Sequence, residues 1–169
     1  MRWTLLLALS GCGIIEILDK DPGTDTATTG SGASYPYVLI GDRGSNDVSP
    51  TAGVDIEGVR LETASGSTYY ATVVQECKFG SGREADADCG EVTGSPGSAT
   101  VSLGGDGGSL IVSFGGELAY SGDVITVYED GYEGGELYDI YLGDSSSSTI
   151  GSWVTCAAGA TGETDCEVP

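Results

Sequence analysis

The 169-residue sequence contains no histidine. Ser-His-Asp triads, Cys-His nucleophile pairs and His-ligated zinc or iron sites are therefore excluded within this chain. Cations are scarce: 6 Lys and Arg stand against 26 Asp and Glu, a net charge of −20. Nucleic-acid binding needs Lys/Arg patches that neutralise phosphate, and no such patch is available. The same deficit opposes direct adhesion to an anionic lipid surface. Strong helix formers are thin after residue 20, and Met occurs once. No Cys-x-x-Cys spacing occurs, which argues against a thiolate metal site. The Gly-rich stretch LGGDGGS at 103–109 lacks the Lys and following helix of a phosphate cradle and reads as a hairpin or loop.

What is present begins at the N-terminus with MRWTLLLALSGC. Arg2 supplies a minimal positive region, and Trp3 to Leu9 form a seven-residue apolar run. Sixteen residues interrupted by Glu16 fall short of the ~20 needed to cross a bilayer. Leu9-Ser10-Gly11-Cys12 resembles the lipobox of bacterial lipoproteins. The resemblance implies that residues 1–11 are a signal peptide and that the Cys12 thiol receives a diacylglycerol. It implies a membrane partner through that lipid anchor. Gly13, where Asp commonly retains such proteins in the inner membrane, leans the expectation towards the outer membrane, with the domain facing the periplasm or the exterior.

Residues 12–34 then read as a lipidated cysteine and flexible tether. The run DKDPGTDTATTGSGAS offers too little apolar surface to offset the entropy of ordering. From Tyr35 the pattern changes. Runs such as YPYVLIGD, VDIEGVRLE, STYYATVVQEC, SLIVSFGG, DVITVYED, ELYDIYLGD and TIGSWVTC are separated by Gly, Asp, Ser and Pro. About eight short strands are predicted, with a bulge where the phase slips at Glu57-Gly58. The fold class is all-β, an antiparallel two-sheet sandwich over residues 35–169. In an exported chain, Cys77, Cys89, Cys156 and Cys166 read as disulfides. Four cysteines allow three connectivities; the local one closes two short loops.

Residues 54–143 are similar to a series found in secreted bacterial surface proteins. VDIEGVRLE resembles their Asp-Ile-Asp-Ala-Val-x-Leu strand, GDVITVYED their Asp-x-Ile-x-Val-Tyr-Glu strand, and ELYDIYLGD the strand that precedes a Trp. These features resemble a galactose-binding-like jelly-roll domain. The resemblance implies a module that binds glycans, and in many cases holds a structural calcium. Asp55-Ile56-Glu57 departs from the usual Asp-Ile-Asp, and Asp86-Ala87-Asp88-Cys89 replaces the usual Asp-Pro-Asn loop.

Hard cations take several carboxylate oxygens, so Asp86 and Asp88, and Glu129 with Asp130, are the candidate calcium ligands. Solvated loop carboxylates and charge protection of a sheet edge are the plainer readings. Among 26 carboxylates some pair will sit at any required separation, so no residue is assigned to catalysis and the chain is expected not to be an enzyme. Tyr132 and Trp153 are the candidates for stacking on sugars. Most of Tyr69, Tyr70, Tyr120, Tyr128, Tyr138 and Tyr141 are expected in the core. Two functions follow. One is a non-catalytic binding module for a glycan or an envelope protein. The other is a structural envelope lipoprotein without a small-molecule ligand. An exposed aromatic platform beside carboxylates would separate the first from the second.

Overall fold

A computed structural model describes residues 32–44, 53–82, 88–97, 99–130 and 136–169. These residues form twelve strands and no α-helix. β1 (Ser34–Tyr35), β2 (Tyr37–Asp42), β3 (Asp55–Glu62), β4 (Thr68–Tyr70), β5 (Val73–Lys78) and β6 (Val101–Ser102) make up the first half. β7 (Ser109–Ser113), β8 (Ala119–Tyr120), β9 (Val124–Glu129), β10 (Tyr138–Gly143), β11 (Trp153–Ala160) and β12 (Thr164–Glu167) follow. A 3-10 turn at Cys89–Val92 is the sole helical element among the described residues.

The strands pair antiparallel in two main sheets. One runs β11-β10-β2-β7-β5; the other runs β12-β9-β3-β4, with β6 also on β3. β1 pairs with β8 in a separate two-stranded ladder. Successive residues of a strand face opposite sides of its sheet. Val38, Ile40, Leu110, Val112, Ile140 and Leu142 of the first sheet therefore share one apolar cluster with Ile56, Val59, Leu61, Ile125 and Val127 of the second. Burying these side chains between two sheets is the main driving force, at roughly 25 cal/mol per Å² of apolar surface.

The predicted bulge is present: the β3–β9 register shifts between Ile56 and Gly58. STYYATVVQEC, read as one run, is two strands broken at Ala71-Thr72. There the chain leaves β3's sheet for β7's, pairing first with β3 and then with β7. The TDCE strand, β12, carries no apolar alternation, and its place comes from pairing with β9. The tyrosines depart from expectation. Tyr138 is fully buried and Tyr69 packs against the core, whereas Tyr70, Tyr128 and Tyr141 are half-buried and Tyr120 is 49% exposed. Tyr128 and Tyr141 alternate with the core residues Val127, Ile140 and Leu142 and so stand on outer faces, where the Tyr141 hydroxyl donates to Asp139 Oδ2 at 2.8 Å.

Of the three connectivities, the structure has the local one, Cys77–Cys89 and Cys156–Cys166. The first ties β5 to the 3-10 turn that lies against β3; the second ties β11 to β12. Both edge strands of the β11-β10-β2-β7-β5 sheet are thus stapled to the opposite layer. Loops closed across 12 and 10 residues each stabilise by roughly 3 kcal/mol through the unfolded state.

Candidate binding face of the five-stranded sheet

The two outer faces differ in chemistry. On the β12-β9-β3-β4 sheet, Tyr70, Arg60, Thr126 and Asp165 stand in one cross-strand row. Arg60 Nη2 donates to Thr126 Oγ1 at 2.9 Å, and Thr126 Oγ1 donates to Asp165 Oδ1. The guanidinium also lies 5.7 Å from the centre of the Tyr128 ring, a cation–π distance. This face is a polar ladder, in which Arg60 Nε is buried without a hydrogen-bond partner.

The outer face of the other sheet carries Leu39, Ile111 and Tyr141 beside Glu76, Lys78 and Asp139. Leu39 and Ile111 are register partners that point away from the inter-sheet cluster, yet both are buried. The β10–β11 connection supplies a cover. Ser148 N donates to Glu76 Oε1 at 3.0 Å, Ser147 Oγ to Glu76 Oε2 at 3.3 Å, and Ser148 Oγ also to Glu76. Glu76 is the register partner of Ile111 on β5, three strands away from β10. Residues 144–152 therefore form a strap across β2 and β7. Lys78 Nζ completes the clasp, 2.9 Å from Glu76 Oε1 and 2.7 Å from Ser148 Oγ. The Ser148 hydroxyl, aided by Lys78, lowers the Glu76 carboxyl to about 2 despite the opposing effect of burial.

Beside the strap runs a row in which Gly143 pairs with Trp153 on one side and Tyr37 on the other. The Trp153 ring occupies the space over Gly143: a Cβ there would sit 2.7–2.8 Å from ring carbons Cζ3 and Cδ2. Only glycine admits this packing. Trp153 thus covers the one residue that separates it from Tyr37 in the row.

Tyr37 then opens onto a groove of about 340 Å³. Its lining includes Tyr37, Gln75, Ser113 and Val73, whose side chain is 41% exposed, and the turn at residues 115–118. Gly115 and Gly116 have φ of +70° and +124°, conformations L side chains rarely adopt, so the turn requires this pair. It presents Glu117, an exposed carboxylate, to the groove. Gln75 Nε2 donates to Ser113 Oγ at 2.9 Å.

The other predicted site residues scatter. Cys12, Asp86 and Tyr132 lie outside the described residues. The Asp88 carboxylate accepts from Gly90 N at 2.9 Å and caps the 3-10 turn. Glu129 and Asp130 do not converge: Glu129 is buried on the core side of β9, and Asp130 is exposed. Both Glu129 carboxylate oxygens are buried without a hydrogen-bond partner. The Gly162 amide approaches but completes no hydrogen bond, and burial, with Glu136, Asp55 and Asp130 nearby, pushes the carboxyl above its usual range. Among the described residues no three Asp, Glu or Cys side chains converge in a way that could hold a metal ion. Reasoning from sequence singled out Trp153 but missed Tyr37, Gln75 and Glu117, because three strands distant in sequence meet to form the groove.

Comparison with known proteins yields no match: no family model, no curated protein and no solved structure corresponds to this chain.

Proposed function

We propose that this protein is a membrane-anchored surface lipoprotein whose acidic sandwich is a non-catalytic binding module, and that its ligand is a glycan held in the Tyr37 groove. The observation that carries the reading is the Trp153–Gly143–Tyr37 row leading into a groove edged by Glu117. Sugar rings have an apolar face that packs on aromatics and hydroxyls that bond to carboxylates and amides. Tyr37, Gln75, Ser113 and Glu117 supply both kinds of contact, in a groove at the small end of the range for ligand sites. The LSGC motif supports the anchor. Two or more acyl chains would hold the domain stably, where one gives marginal binding.

The test is a screen of immobilised oligosaccharides with the wild type and Tyr37→Ala. A ligand retained by the wild type and weakened at least tenfold by the variant, with an unchanged melt, is the expected result. Retention that is indifferent to Tyr37 would overturn the placement of the site.

A further inference from the structure

The polar groups of the groove bear on which sugars it accepts. Resting on the glycan reading above, we infer that the groove takes uncharged glycan and rejects sugars carrying a carboxylate. Gln75 spends one amide hydrogen on Ser113 and so keeps its carbonyl oxygen and a second N–H for a ligand. Ser113 accepts that bond and retains its own hydroxyl proton to donate. Glu117 can only accept when ionised. Adjacent sugar hydroxyls, each donor and acceptor at once, match this mixed set.

A sugar carboxylate does not match it. No Lys or Arg lines the groove. Lys78, the cation on the same edge strand, is held by Glu76 at 2.9 Å beneath the strap. Arg43 is held by Asp139 at 3.2 Å, and Arg60, whose Nη2 lies 3.8 Å from Glu62, belongs to the other sheet. All three described cations are therefore committed elsewhere. A uronate would meet Glu117 uncompensated, in a molecule of net charge −20. Like charges at contact distance in a partly desolvated groove repel strongly enough to cost at least tenfold in affinity.

The experiment is calorimetric titration of the full-length protein with two matched sets, neutral galactose- and glucose-based oligosaccharides and their uronic-acid counterparts. Saturable binding of a neutral member, with its uronate at least tenfold weaker, is expected. Glu117→Gln should shrink that gap to about threefold or less while leaving the melt unchanged, since Glu117 is exposed on a turn. Uronates that bind as tightly as neutral sugars, with both lost in Tyr37→Ala, would overturn the inference and leave the glycan groove standing. A gap that survives Glu117→Gln would also overturn it. Failure of every sugar in both sets would bring down the glycan reading itself.

Discussion

Glu129 is the residue at which local chemistry and burial conflict most directly. Its carboxyl is raised by burial first, and further by Glu136, Asp55 and Asp130, with only partial relief from the Gly162 amide. In the unfolded chain it ionises near pH 4.3. Because the folded value is the higher one, the folded state binds the proton more tightly. The resulting stability is complete below the unfolded pKa and is lost as pH rises through the folded value. Glu129→Gln, a neutral isostere, should match the wild type near pH 4 and be more stable at pH 7. The gain should appear as a higher Tm at pH 7 that vanishes near pH 4. Melts of the two proteins at both pH values check this; equal melts at pH 7 would mean the carboxyl is already neutral or solvated. Asp42 shows the other solution. It is also buried, but it accepts from the amides of Gly44, Val54 and Gly105 at 2.7–3.1 Å, which offset part of its desolvation while burial still holds its carboxyl above the usual range.

Among the elements, the strap at 144–152 sets what the five-stranded sheet exposes. Its sequence, DSSSSTIGS, has no apolar periodicity; the TIGSWVTC run predicts a strand from Thr149, whereas β11 begins at Trp153. Its position depends on Glu76, which the bulge between Val74 and Glu76 in the β5–β7 register turns to the outer face of β5. The Glu76 carboxyl is lowered to about 2, chiefly by the Ser148 hydroxyl. The clasp is therefore complete above the usual carboxylate range and released as pH falls through about 2. Glu76→Ala should raise amide exchange at Ser148, the donor to Glu76, by about tenfold or more. It should lower Tm by only a few degrees, since one surface clasp is worth about 1 kcal/mol. Exchange mapped by NMR decides it; an unchanged Ser148 amide would show that the strap is held by packing alone.

At the scale of the whole molecule, charge and attachment govern behaviour. A net charge of −20 favours self-repulsion and opposes encounter with anionic partners. Among the described residues no helix is long and apolar enough to cross a membrane, and the proposed anchor is a lipid on Cys12. Cys12→Ala should move the protein from the membrane to the soluble fraction without altering the domain's melt. Membrane association that persists in this variant would sink the anchor.

Alternation of side chains and the Gly/Asp/Ser/Pro punctuation were enough to predict an all-β sandwich, and the four cysteines beyond Cys12 to predict disulfides. The break in phase at Glu57-Gly58 was enough to place its bulge. These are local properties, because periodicity is set by backbone geometry within one strand. Trp153 was visible as a candidate because a large aromatic stands out singly. Which connectivity the cysteines take, which side of β9 holds Glu129, and that Tyr37, Gln75 and Glu117 meet were settled only by tertiary pairing. Each depends on the register between strands far apart in the chain. A one-residue shift in register would send Tyr37 or Glu129 to the opposite face while leaving every local pattern unchanged.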